Sequence, residues 1–478
     1  MRNSDSLSAG SARGADRRVR SPAGRGPQRA TPLPRRLLVW AISAALGGFA
    51  VGYNAGVVAG ALLSVRGDFA LSAFEQGALA SVLPLGAMAG GLSTSRFADT
   101  LGRRGTLIAT AGVFIASSVL AAAAPSFAVL LAARAAAGVA VGAASSVVPL
   151  YLSEVAPAGV RGRLVTINQL MVTLGILVSY CVGLVFAGSG SWRAMFAAGA
   201  VPAAALMIGM LRAPETPVWL VAHDQPDRAR EVIEQVADRR EAERLIDHLT
   251  GAQPAPREMR VREVLRSAAR PALMIGVTLA VLQQLSGINT IIYYGPTIMQ
   301  RTGLSASNSM VSAVVIGLIN VAATVVSFRL VDRLGRRPLL LLSLAGMVAS
   351  LTLLGVSVEL SLGTAASWLS LACIVGYIAA FAMGMGPVFW LLIAEIFPPG
   401  TRAAGASVST AVNWLSNFAV GLMFLPLADA IGQAPTFWVF AAACVVATLF
   451  VARYVPETKG RDLTDLGARF GEGPRAGA

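Results

Sequence analysis

Eight polar side chains fall inside long apolar runs of this sequence: Asn54, Arg134, Gln169, Gln283, Gln284, Asn289, Asn320 and Asn413. Seven are amides. An amide both donates and accepts hydrogen bonds, as a sugar hydroxyl does. No carboxylate stands among them to hold a buried cation, and an anionic or phosphorylated solute would want more than the single base Arg134. The set therefore suits recognition of a neutral polyhydroxyl solute. Amides also join membrane helices to one another, but Gln283, Gln284 and Asn289 cluster on one segment, which favours a site. Tyr293, Tyr294, Gly295 and Pro296 follow there, and Gly287, Gly295 and Pro296 predict a broken helix lining a cavity. No Ser/His/Asp set, metal-ligand cluster or nucleotide loop accompanies the amides, so the expectation is no enzyme, no metal and no cofactor.

The elements that must carry these residues follow from composition. Of 478 residues, 55% are hydrophobic and 13% charged, against about 25% charged in soluble proteins. Twelve apolar runs lie near 37–63, 74–95, 105–123, 127–152, 164–187, 194–211, 270–298, 308–328, 338–359, 367–394, 404–428 and 434–454. Each is long enough to span a bilayer as a helix. The fold class is thus an all-α membrane protein of twelve transmembrane helices; a β-barrel would alternate polar and apolar residues instead.

The net charge of +14 would suggest nucleic acid in a soluble chain. Its distribution argues otherwise. With the N-terminus inside, 35 of the 39 Arg and Lys fall in inside segments, as the positive-inside rule requires. The outside segments hold only Arg66, Arg193 and Arg301. Both termini are therefore expected in the cytoplasm, the partner is the lipid bilayer, and nucleic acid is excluded. The expected organisation is a disordered tail over 1–36, a six-helix half over 37–212, a cytoplasmic linker over 213–269, a second half over 270–455 and a tail over 456–478. Within the linker, Ala229, Val232, Ile233 and Val236 recur at helical spacing. Cys181, Cys373 and Cys444 show neither metal nor disulfide spacing. One lysine, Lys459, against 38 arginines points to GC-rich coding and a bacterial plasma membrane.

Three motifs repeat in order. Asp99-Thr100-Leu101-Gly102-Arg103-Arg104 returns as Asp332-Arg333-Leu334-Gly335-Arg336-Arg337. Glu154-x-x-Pro157-x-x-x-Arg161 returns as Glu395-x-x-Pro398-x-x-x-Arg402. Pro214-Glu215-Thr216 returns as Pro456-Glu457-Thr458. The offsets are 233, 241 and 242 residues, which implies two parallel six-helix repeats. Positive-inside anchoring explains arginines at cytoplasmic span ends but not acids beside them. Asp99, Arg103, Glu154, Arg161, Asp332, Arg336, Glu395 and Arg402 are therefore expected to form ion pairs that gate the cytoplasmic side.

At these residues the chain resembles the sugar porter family of the major facilitator superfamily. Asp-x-x-Gly-Arg-Arg marks the superfamily. Pro-Glu-Thr-Pro-Val-Trp-Leu at 214–220, Pro-Glu-Thr-Lys-Gly-Arg at 456–461, Arg161-Gly162-Arg163, Gln283-Gln284-Leu285-Ser286-Gly287-Ile288-Asn289, Gly386-Pro387-Val388-Phe389-Trp390 and Asn413-Trp414 mark the family. The resemblance implies a monomer working by alternating access, with sugar contacts at Gln169, Gln283, Gln284, Asn289, Asn320, Trp390 and Asn413. It also implies that Arg134 faces the first-span coupling position. There Gly52-Tyr53-Asn54 stands where proton-coupled members have Gly-Tyr-Asp. Milder departures are Thr100, Ile176 and Val218. An amide does not titrate, so Asn54 favours facilitated diffusion of a monosaccharide. The alternatives are sugar–proton symport, with protons as a second partner, or an inositol or polyol as solute. A sugar sensor would need a longer signalling tail than the one after residue 455.

Overall fold

A computed structural model describes residues 34–157, 160–237, 239–251, 261–267, 269–360, 364–398 and 400–459. Among these residues the only regular structure is helical. The tail expected over 1–36 lies outside them apart from 34–36, and that over 456–478 apart from 456–459.

Twelve helices are long and apolar enough to cross a membrane. Spans 1 to 6 are Arg35–Asp68, Ala73–Thr100, Gly102–Ala122, Phe127–Val155, Gly162–Ala187 and Trp192–Arg212. Spans 7 to 12 are Arg270–Arg301, Ala306–Val331, Arg336–Glu359, Ala365–Glu395, Arg402–Ile431 and Gln433–Tyr454. Each predicted run is one of these helices, with its ends moved by a few residues. Short helices Pro217–Ala222, Pro226–Glu234 and Arg239–Gly251 follow span 6. Their apolar face, with Ala229, Val232, Ile233, Ala242 and Ile246, joins the core formed by Leu37, Phe114, Tyr151 and Met210 of the first six spans. This side of the bundle is the linker end; the other is the far end.

Helix starts differ between the two ends. At the far end, serine side chains cap spans 2, 4 and 8: Ser72 with Glu75 in a reciprocal capping box, Ser126 and Ser305. At the linker end, spans 3 and 9 begin at or just after glycines of positive φ, Gly102 (+81°) and Gly335 (+88°), and are capped from far along the chain.

Span 7 breaks into Arg270–Leu285 and Ile288–Arg301 around Gly287. Gly287 has φ +84°, and a Cβ there would run into the Phe440 ring. Gly295 and Pro296 were expected to break it too, yet both stay inside the second piece. Proline removes the N–H that would bond the carbonyl four residues back. That carbonyl, on Ile292, instead accepts a 2.9 Å hydrogen bond from the Tyr180 hydroxyl of span 5. An outside donor replaces the missing one, so the helix continues.

The Tyr180–Ile292 bond also joins the two six-helix bundles. Arg66 Nη2, at the end of span 1, donates to Gln300 Oε1 on span 7 at 3.0 Å. Met310 of span 8 brings its methyl against Gly60 and Gly183 of spans 1 and 5. Span 2 lies so close to span 11 that a Cβ on Gly77 would clash with the Leu422 carbonyl. Leu422 stands four residues before Pro426, so this carbonyl too is freed by a proline. Among the described residues, both hydrogen bonds between the bundles are at the far end. Towards the linker end a cavity of about 160 Å³ separates them, lined by Met88, Gly91 and Leu92 of span 2, Ser146 of span 4, and Ala406, Ser407, Thr410, Ala411 and Trp414 of span 11.

Candidate substrate site and its flanking ion pairs

Four of the predicted amides meet in one hydrogen-bonded cluster. Gln284 Nε2 donates to Asn413 Oδ1 at 3.1 Å and to Gln283 Oε1 at 3.3 Å. Asn413 Nδ2 donates to Gln283 Oε1 at 2.7 Å, and Asn289 Nδ2 to Gln284 Oε1 at 2.7 Å. Gln283 Nε2 reaches the Met385 carbonyl at 3.0 Å, just past the Gly384 break in span 10. The break at Gly287 makes this possible. It separates Gln283 and Gln284, at the end of one helical piece, from Asn289 at the start of the next. Gln283, Gln284 and Asn413 are buried and Asn289 half-buried, so a solute reaching the cluster would exchange hydrogen bonds with a preformed network rather than meet free donors.

The other predicted contacts stand apart from this network. Gln169 on span 5 and Asn320 on span 8 are half-buried, and their amides bond none of the described residues. Trp390 is 39% exposed and meets Phe389 edge-on, ring centroids 5.0 Å apart. Asn417 is a polar residue that the sequence reading passed over. It is buried, and its Nδ2 donates to the Tyr293 hydroxyl at 3.4 Å while its Oδ1 has no partner. Its signal was present: it lies four residues after Asn413, on the same helix face.

Arg134 and Asn54 are neighbours, but through the backbone. Arg134 Nη1 donates to the Asn54 carbonyl oxygen at 2.9 Å, while the Asn54 amide donates within its own helix to the Ala50 carbonyl. The guanidinium lies over the Phe196 ring, 5.7 Å from its centroid.

The repeated charges form two matching networks at the linker end. Glu215 accepts from the backbone N–H groups of Arg103 (3.0 Å) and Arg104 (3.0 Å), capping span 3. Glu457 accepts from those of Arg336 and Arg337, both at 3.0 Å, capping span 9. A carboxylate at a helix N-terminus meets both unsatisfied N–H groups and the positive end of the helix dipole. Arg103 pairs with Glu154 at 3.0 Å and Arg336 with Glu395 at 2.8 Å. Thr216 and Thr458 each donate a 2.6 Å hydrogen bond to the same glutamate, Glu154 and Glu395 respectively. Asp99 touches Arg103 at 3.5 Å on the surface. These pairs each stay within one bundle; among the described residues none crosses at the linker end. Arg402 Nε is buried without a partner, and the side chains of Arg161 and Asp332 lie outside the described residues.

Burial pushes the Glu457 carboxyl up, but the N–H groups of Lys459, Arg336, Arg337 and Thr458 outweigh it and hold the group below the ordinary glutamate value. Its stabilisation is therefore fully present above the unfolded-state pKa and is lost as pH falls through the lowered folded-state value. Glu457→Gln should lower the thermal unfolding temperature at pH 7 and narrow the gap to wild type at pH 4. An equal gap at both pH values would refute the charge-assisted cap.

The family described as "Sugar (and other) transporter" matches residues 40–470. The putative metabolite transport protein YwtG of Bacillus subtilis is 39% identical over 438 residues, 91% of this chain and 96% of its own length. The galactose-proton symporter of Escherichia coli K12 is 36% identical over 441 residues, 89% of this chain and 95% of that protein. Among solved structures, a partially occluded inward open conformation of the xylose transporter XylE from E. coli superposes with a TM-score of 0.79 at 28% identity. That match covers 89% of this chain and 99% of the other. XylE bound to 6-bromo-6-deoxy-D-glucose gives 0.74 at 27% identity, over 91% and 99%.

Proposed function

Because this chain belongs to the sugar porter family of the major facilitator superfamily, a family of transporters and not enzymes, we propose that it carries a neutral monosaccharide by facilitated diffusion. The two six-helix bundles are the moving units and the linker end faces the cytoplasm. The observation that carries the coupling mode is the Asn54–Arg134 contact. A proton-coupled carrier needs a group that binds a proton in one state and releases it in another, and an amide has no such proton. Among the described residues the acids of the spans stand near their ends: Asp68 and Glu75 at the far end, Asp99, Glu154 and Glu395 at the linker end, with Glu359 and Asp429 at the far ends of spans 9 and 11. The far-end closure and the linker-side cavity support an inward-facing state, as does the likeness to inward open XylE.

The amide cluster of Gln283, Gln284, Asn289 and Asn413 forms the centre of the sugar site in this reading, with Gln169, Asn320 and Trp390 joining as the bundles close around the solute. Asp99, Arg103, Glu154, Arg161, Asp332, Arg336, Glu395 and Arg402 brace the cytoplasmic ends. The pairs observed hold each bundle rigid, and cross-bundle partners form only when that side shuts.

Symport is the second reading, favoured by the galactose-proton symporter among the relatives. Proteoliposomes separate the two. Under an imposed proton gradient the protein should equilibrate labelled sugar without concentrating it, and sugar addition should not alkalinise the medium. Uphill accumulation would establish symport instead.

A further inference from the structure

Arg134 is the second-largest side chain sealed inside the protein, with 1% of its surface exposed. Its guanidinium has five N–H donors and uses Nη1 on the Asn54 carbonyl, while Nε and Nη2 have no partner. A buried cation with two unmet donor atoms and no counter-charge is among the costliest arrangements a protein can hold. The chain supplies no acid here. Asp68 is engaged with Trp192 and Arg193, Glu75 with Ser72, and the Asn54 amide with Ala50. A neutral sugar cannot supply the charge either.

We propose that Arg134 binds a small monovalent inorganic anion, chloride in ordinary media, which serves as its counter-ion. One base matches one negative charge, which disfavours phosphate and sulfate. The Phe196 ring lies over the guanidinium, and on span 7 the Tyr293 hydroxyl, which accepts from Asn417, keeps its own proton to donate. Residue 134 lies in the far-side third of span 4, at the end of the protein that the Tyr180–Ile292 and Arg66–Gln300 contacts close. The anion therefore enters when the far end opens and is enclosed when it closes. The site stands whether or not the carried solute is a sugar.

The test uses the purified full-length protein without sugar. Chloride is exchanged for gluconate at constant ionic strength while thermal unfolding is followed. The unfolding temperature should rise with chloride and saturate in the millimolar range, with bromide equivalent. Asn54→Asp, which places a carboxylate on the residue whose carbonyl Arg134 bonds, should lose the chloride response at neutral pH. A linear, unsaturating salt response in the wild type would overturn the site, as would the same saturable response in Asn54→Asp. Should that variant fail to fold, the wild-type comparison of chloride, bromide and gluconate decides alone.

Discussion

Leucine in place of Gly77 should hold the far side open and stop sugar flux. The Gly77 Cα hydrogens face the Leu422 carbonyl across the two bundles, and even a single Cβ there would clash with it. The obstacle is backbone, so no rotamer relieves it. Overpacking of this kind costs about 1–3 kcal/mol, and it falls only on the conformation in which spans 2 and 11 touch. As a differential energy between two states it shifts their ratio by about 5–150-fold. The bundle need not unfold, because the open form relieves the strain. An engineered cysteine at Ser81 should become reactive from the far side in Gly77→Leu while sugar still binds from that side. Wild-type flux and unchanged reactivity would show that this contact does not close the far end.

The second large effect concerns the hub of the amide cluster. Gln284 makes three hydrogen bonds, to Gln283, Asn413 and Asn289. Gln284→Leu keeps the volume and removes all three. Each buried polar group left unsatisfied costs about 1–3 kcal/mol, and the same groups are those offered to a sugar. Affinity for sugar should fall by more than about tenfold, each 1.4 kcal/mol being one factor of ten. Cys181→Ser, on the exposed side of span 5, should leave affinity unchanged. Titration of a labelled sugar against both purified variants measures the difference. Equal affinities in Gln284→Leu and wild type would remove the cluster from the sugar site.

Much of this architecture was legible in the residues. Lipid requires long apolar helices, so the runs marked the spans, and the excess of arginine in alternate connecting segments agreed with their number. The duplicated Pro-Glu-Thr and Gly-Arg-Arg motifs showed that something paired them, but not what. The pairing is side chain to backbone, Glu215 to the amides of Arg103 and Arg104, and backbone groups leave no trace in a sequence pattern. Pro296 was read as a breaker for a similar reason: the Tyr180 hydroxyl that satisfies the Ile292 carbonyl comes from a distant span. Gln283, Gln284, Asn289 and Asn413 were found because an amide in an apolar run is conspicuous. Gln169 belongs to the other bundle, so its distance from them depends on the relative position of the two bundles, which belongs to a conformational state and not to composition.

The placement of the two capping glutamates has a consequence for biosynthesis. Glu215 follows the sixth span and Glu457 follows the twelfth, and each closes back onto the third helix of its own bundle. The first bundle can thus fasten its own lower edge as soon as residue 216 leaves the ribosome. At about 5–20 residues per second, roughly 10–50 s pass before the equivalent residue of the second bundle is made. During that interval the first six helices carry a finished set of internal fastenings and owe none to the unmade half. The nascent protein enters the bilayer as two successive self-closing units, and a chain stalled between them leaves a braced half-transporter rather than loose helices.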